Sequence, residues 1–201
     1  MFIDLTLPID ERIPVFPGDP KPEIKQISTI REKGWNEKQV TISSHFSTHI
    51  DAPNHMIADG KTLSDYPIAS FIAEAVVFDV RGQSIIDVNV ELVKPRDFVF
   101  FWTNHIHHIY DSTYFENNPV LSEKTVLKLI EKEISILGID SFTPDNEPFE
   151  CHKELFSHDI RIVENLVHLD KIPQQRFLCY IFPLHIKEAD GAPCRVVAEV
   201  K

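Results

Sequence analysis

Apolar and polar residues alternate through FIDLTLPI (2–9), EIKQISTI (23–30) and KQVTISSH (38–45). A period of two is the pattern of half-buried strands. AVVFDV (75–80) and DFVFFW (97–102) are nearly continuous apolar runs instead, as expected of strands covered on both faces. SILGID (135–140), RFLCYIFPL (176–184) and CRVVAEV (194–200) complete the predicted strands. The period lengthens in LSEKTVLKLIEKEI (121–134), where Val126, Leu129 and Ile130 share a helical face behind Ser122 as N-cap. A shorter helix is expected in 150–156. Pro17-Gly18 within FPGDPKP (16–22) marks a turn. Few helices among many strands predict an α/β or α+β fold with a large mixed sheet, partly curled into a barrel. No repeat, low-complexity tract or linker interrupts the chain, so residues 1–201 are read as a single domain.

Composition narrows the function classes. The hydrophobic fraction of 43% and charged fraction of 25% are ordinary for a globular protein. A net charge of −11 argues against a nucleic-acid or anionic-membrane surface. The start MFIDLTLPIDER places Asp4 where a secretory leader needs basic residues, and FVFFW is too short to cross a bilayer. Cys151, Cys179 and Cys194 lack metal-type or disulfide spacing, so they are expected as free buried thiols in a reducing, cytoplasmic setting.

The candidate chemistry lies in HFSTHIDAPNH (45–55), where His45, His49, Asp51 and His55 follow H-x3-H-x-D-x3-H. Pro53 disfavours helix before it, so the segment is expected to be extended or looping. In an extended chain all four positions have one parity and point to one side. Imidazole and carboxylate together suit Zn²⁺, Mn²⁺ or Fe²⁺. Three ligands leave positions open for water, whose pKa falls on binding, and a fourth histidine can move protons. Singly, each histidine is better read as a turn residue bonded to backbone; the set favours a metal. HIHH (105–108) has no closely spaced carboxylate and is read as a pocket rim or surface loop. His158, His168 and His185 stand outside any motif and are read as structural.

HFSTHIDAPNH resembles the H-x-G-T-H-x-D-x-P-x-H signature of the cyclase family, which includes bacterial kynurenine formamidase and isatin hydrolase. IPVFPGDP (13–20), residues 58–82, residues 118–145 and ADGAPCRVVAEV (189–200) resemble further family segments in the same order. The resemblance implies a swivelling β/β/α fold. It implies His45, His49, Asp51, His152 and Glu164 as metal ligands, the last within Glu164-Asn165-Leu166. In two-metal members Asp51 and Glu164 would bridge, and His55 would be the general acid/base. Phe16 matches a position that is Trp in formamidases, which makes it a substrate-binding candidate beside its plainer reading as a packing aromatic. Ser47 replaces the signature glycine, with an effect expected on the backbone approach to the metal. Thr103-Asn104 replaces a T-G pair, which leaves substrate choice open.

The expected function is therefore a metal-dependent amide hydrolase that uses metal-activated hydroxide. N-formylkynurenine, split to kynurenine and formate in tryptophan catabolism, is the leading substrate. The alternatives are an isatin-like or other amide hydrolase, a dehydratase or true cyclase, and a non-hydrolytic binder of metal and a small carboxylate. One or two Zn²⁺ or Mn²⁺ ions per subunit and a homodimer or higher homo-oligomer are also expected. The partner is a small-molecule amide, with no nucleic acid and no membrane.

Overall fold

The computed structural model describes residues 1–201. Its strands are β1 (Phe2–Asp4), β2 (Glu23–Ser28), β3 (Glu37–Thr41), β4 (His49–Asp51), β5 (Ile72–Asp79), β6 (Ile85–Ile86), β7 (Phe98–Trp102), β8 (Val120–Leu121), β9 (Ile136–Ile139), β10 (Arg161–Glu164), β11 (Arg176–Pro183) and β12 (Gly191–Glu199). The α-helices are α1 (Ile30–Lys33), α2 (Glu123–Glu131) and α3 (Glu150–Ser157). The main sheet has eight strands in the order β1-β12-β11-β5-β7-β9-β10-β4, and β4 also pairs with β12. That second pairing closes seven strands into a ring, while β1 lies further along the same edge of β12. The mixed, partly barrel-like sheet with few helices is the fold class expected.

The continuous apolar runs become the parallel part of the sheet, β5, β7, β9 and β10. Their residues divide by parity. Phe98, Phe100, Ile136 and Val163 point into the barrel interior. Val99, Phe101, Leu137, Ile139 and Ile162 point outward and meet Leu129 of α2 with Leu155 and Phe156 of α3. Both faces are dry, which is why these strands show no polar alternation. β11 and β12 are antiparallel and mostly alternate buried with partly exposed positions, as their sequences do. The Ser122 hydroxyl accepts from the Thr125 N–H and caps α2 as read, but the helix stops at Glu131, about a turn short of the predicted end.

Three expectations for strands change. KQVTISSH is strand only over Glu37–Thr41, so His45 does not sit at a strand end. β2 and β3 pair with one another and form no part of the barrel. β4 and β10 were not predicted as strands, and both carry candidate ligands.

Gly138 shows how tightly the interior is filled. A Cβ built there would lie 2.5 Å from Phe100 Cδ1 and 2.9 Å from Leu166 Cδ1. Gly138→Ala is expected to destabilise the fold by about 1–3 kcal/mol, the usual cost of overpacking. A denaturant midpoint equal to that of the native protein would show that the interior has slack.

Candidate metal centre

The site is assembled by pairing between strands that are far apart in sequence. Antiparallel register places Glu164 of β10 opposite His49 of β4, and Ile162 opposite Asp51. Cross-strand partners share a face, so His49, Asp51 and Glu164 project together from the outer side of the barrel. Ile50 and Val163 point the other way, into the interior. Helix α3 packs over this outer face and lowers His152 onto it. His49 Nε2 lies 3.3 Å from Asp51 Oδ1 and 3.4 Å from Glu164 Oε2. His152 Nε2 lies 3.3 Å from the other oxygen of Glu164.

The far nitrogens of these rings are fixed. His49 Nδ1 donates to the Ser47 carbonyl at 2.9 Å. His152 Nδ1 bonds Asp145 Oδ1 at 2.6 Å, and Asp145 Oδ2 accepts the backbone N–H of His152. Each Nε2 is thereby aimed at the carboxylates, the arrangement that orients metal-binding histidines.

His45 and His55 reach the cluster by routes that the parity argument did not foresee. Ser47 takes a left-handed backbone (φ 62), and residues Pro53–His55 form a 3₁₀ turn. Only His49 and Asp51 are placed by strand alternation. His45 bridges two carboxylates, with Nδ1 2.6 Å from Asp51 Oδ1 and Nε2 2.8 Å from Asp190 Oδ2. His55 stacks on His45 with ring centroids 3.9 Å apart. Gly191 is required here: a Cβ on it would lie 2.6 Å from the Cε1 of His45.

The donor atoms form overlapping sets in which all atoms lie within 4.8 Å of one another: His45, His49 and Asp51; Asp51, His152 and Glu164; and His45, His55 and Asp190. Two of the three share Asp51. Nitrogen and carboxylate donors in this number and proximity fit one or two divalent transition-metal ions.

Charge balance points the same way. Burial opposes charge on His45 and His152, yet the facing carboxylates prevail: Asp51 and Asp190 hold His45 up to about 9, while Asp145 and Glu164 hold His152 up to about 10. Burial likewise opposes charge on His49, and Asp51 and Glu164 again raise its pKa. Burial would raise Asp51, but the imidazoles around it carry it well below the usual carboxylate range. Protons on the imidazoles thus supply the positive charge that these buried acids need. His55 differs. Burial, together with the positive His45 and His152, lowers its pKa, so it is neutral at pH 7 and able to accept a proton.

A pocket of about 340 Å³ opens onto the cluster. His45, His49, Asp51, His55, His152 and Glu164 line one end of it. The other end is aromatic. Phe16, in the predicted turn closed by Asp19 N–H to Phe16 O, packs against Phe115 and Phe142 at 5.8 and 6.2 Å. Tyr114 lies 5.4 Å from Phe142 and donates to Asn165 Oδ1. The loop after Thr103-Asn104 does form a pocket wall, through Ile109, Tyr114 and Phe115 rather than through its histidines. His105 is buried, stacks on Tyr114 at 4.8 Å and bonds its carbonyl, whereas His108 pairs with Asp111 at the surface.

Every candidate site residue except Phe16 therefore joins one cluster, and Phe16 lines the same pocket. Two carboxylates that touch the cluster were not singled out by the sequence. Asp145 carries no motif, and its proximity to His152 depends on the loop before α3. Asp190 sits in the ADGAP segment, where no role was read for it.

The Cyclase family model ("Putative cyclase") matches residues 3–146. A kynurenine formamidase from Bacillus cereus is 30% identical across 98% of this chain and 96% of its own length. One from Erythrobacter litoralis is 31% identical across 96% and 91%. Among solved structures, isatin hydrolase A from Ralstonia solanacearum superposes with a TM-score of 0.89 at 22% identity, covering 100% of this chain and 92% of its own. A potential metal-dependent hydrolase with cyclase activity superposes with a TM-score of 0.79 at 28% identity, covering 98% and 96%.

Protons and a metal ion compete for the same nitrogens. The raised pKa values of His45 and His152 mean that both are protonated at pH 7 in the metal-free protein, and both must lose that proton to bind a cation. Apparent Zn²⁺ affinity is expected to rise with pH up to about 10, by up to about tenfold per pH unit for each proton released. Calorimetric titrations in buffers of different ionisation enthalpy count those protons. Zero proton release at pH 7 would contradict the cluster chemistry.

Proposed function

Because the chain belongs to the cyclase family, we propose that it is a metal-dependent hydrolase of a small-molecule amide, with N-formylkynurenine, split to kynurenine and formate, as substrate. The observation that carries this reading is the neutral His55 beside a buried group of His and carboxylate donors, at the floor of an aromatic pocket. Two formamidases about 30% identical over nearly the whole chain support the substrate class.

His45, His49 and Asp51 are proposed to hold one divalent ion. Asp51, His152 and Glu164 would hold a second, with Zn²⁺ or Mn²⁺ as the metal. A bound ion of this kind polarises a carbonyl oxygen and makes a water molecule acidic near neutral pH. The chain's own residues do the rest. Phe16, Phe115, Phe142 and Tyr114 hold the aryl ring by face and edge contacts and keep water from that end of the pocket. His55 accepts a proton from the water that adds to the formyl carbon, then donates it to the amine nitrogen as the carbon–nitrogen bond breaks. Buried Cys151, Cys179 and Cys194 suit a reducing cytoplasm. No helix is long and apolar enough to cross a membrane.

A homodimer is part of the proposal. The β2–β3 ribbon and the α1 connection between its strands expose Ile27, Ile30, Trp35 and Val40 to solvent, and the ribbon pairs with no other strand. A two-stranded ribbon alone is marginal in water, so a second copy packed against it would stabilise it.

His55→Ala is expected to keep its full metal content by elemental analysis and to lose about 10²–10⁴-fold in kcat on N-formylkynurenine. Undiminished turnover in that variant removes His55 from the mechanism. Metal-replete native protein that turns over neither N-formylkynurenine nor isatin nor other amides would favour a non-hydrolytic binder, and product without solvent oxygen would favour a dehydratase or cyclase. Light scattering is expected to give twice the 23.2 kDa chain mass, falling to one chain in a Trp35→Glu, Val40→Glu variant. A monomeric native protein would sink the dimer.

A further inference from the structure

We infer that Asp190 is a positioning residue that holds two histidines at once, the metal-side His45 and the proton carrier His55. The inference rests on the hydrolase reading for the role of His55. It does not rest on that reading for the geometry.

The backbone fixes where this carboxylate stands. Asp190 immediately precedes β12, and its carbonyl accepts the Ala52 N–H at 2.8 Å. The end of β4 and the start of β12 are therefore tied together at the site. The side chain turns toward the imidazole pair. Its Oδ2 is 2.8 Å from His45 Nε2 and 3.5 Å from His55 Nδ1. No lysine or arginine pairs with it; the two histidines are its ion-pair partners. Glycine at 191 leaves the volume into which His45 fits.

Each histidine needs such a partner. His45 Nδ1 faces Asp51 on the side shared with His49, so Nε2 is the nitrogen left to be anchored, as Ser47 anchors His49 and Asp145 anchors His152. A carboxylate on the far nitrogen sets ring orientation and basicity. His55 has no hydrogen bond of its own to the protein that would fix its tautomer. Asp190 Oδ2, 3.5 Å from Nδ1 and short of a hydrogen bond there, is placed to favour by its charge the tautomer protonated at Nδ1, which leaves Nε2 for the substrate. Because the two rings stack at 3.9 Å, one oxygen serves both.

Asp190→Asn keeps the size and one acceptor but removes the charge. The expected result is a fall of about 10–100-fold in apparent Zn²⁺ affinity by chelator competition. With metal saturating, kcat should drop at least tenfold while KM stays within about twofold, because the substrate-holding wall is untouched. Placed in His55→Ala, the same substitution should cost no further kcat, since it acts through a group already gone. Unchanged metal affinity overturns the part concerning His45. A full additional loss in the double variant overturns the part concerning His55. Should Asp190→Asn not fold, ¹⁵N imidazole spectra of the native metal-free protein decide instead: a proton is expected on His45 Nε2 and on His55 Nδ1, and an unprotonated His55 Nδ1 refutes the positioning role. Native protein that binds metal but hydrolyses no amide ends the hydrolase reading alone; metal affinity and spectra still report on Asp190.

Discussion

The three residue pairs between β4 and β10 are the constraint on which the site depends. β4 is only three residues long, yet it hydrogen-bonds on both edges and closes the barrel. Its register is enforced from inside. Ile50 and Val163 are fully buried in the interior, each contributing about 1.5–3 kcal/mol of apolar burial. A slip of one residue would turn them toward the acids and drive Glu164 into the hydrocarbon core. Apolar packing thus decides which carboxylate faces His49. The candidate metal donors inherit their geometry from residues that never touch them.

Two buried carboxylates show how environment divides structural from chemical roles. Asp140 accepts from Thr103 N–H at 2.7 Å, Thr103 Oγ1–H at 2.6 Å and Asn104 N–H at 2.8 Å. Burial still wins over these donors and lifts it to about 6. Its bonds turn the chain sharply after β7 and launch the loop that carries Tyr114 and Phe115 to the pocket wall. No backbone N–H donates to the Asp51 carboxylate; only imidazoles hold it ionised. A carboxylate satisfied by backbone is a fastener, whereas one satisfied by exchangeable protons is ready to take a cation in their place.

Much of the barrel was legible because its strands are long apolar or alternating runs. What stayed hidden was short. RIVE (161–164) is four residues flanked by charge at both ends, because Arg161 is buried over Tyr66 and Phe71 and Glu164 faces the cluster. Pattern reading sees a polar segment where the fold has a buried strand. The place of His152 is hidden for the same reason: its neighbours in the sequence say nothing about Asp145 or Glu164 beneath it. Spacing in HFSTHIDAPNH did mark residues that the fold gathers into one cluster, although only His49 and Asp51 follow the strand parity that motivated it. Asp190 illustrates the limit. ADGAPCRVVAEV resembles a family segment, but nothing local assigns its aspartate a role, and its two histidine partners lie more than 130 residues upstream.

Ser47 explains why the signature places a glycine there. Its φ of 62 is the left-handed region, costing a serine about 1–2 kcal/mol relative to a relaxed backbone. The expectation was a changed approach to the metal. The geometry instead assigns the strain to a carbonyl. With the chain turned this way, Ser47 O accepts from both His49 Nδ1 and Asn165 Nδ2. Asn165 accepts in turn from Tyr114, so a hydrogen-bonded path runs from the aromatic wall to a donor histidine. The serine hydroxyl recovers part of the cost by donating to Leu7 O at 2.8 Å, worth about 0.5–1.5 kcal/mol. Glycine is the inexpensive solution to a backbone direction that the histidine requires, and serine is the solution that adds its own hydrogen bond.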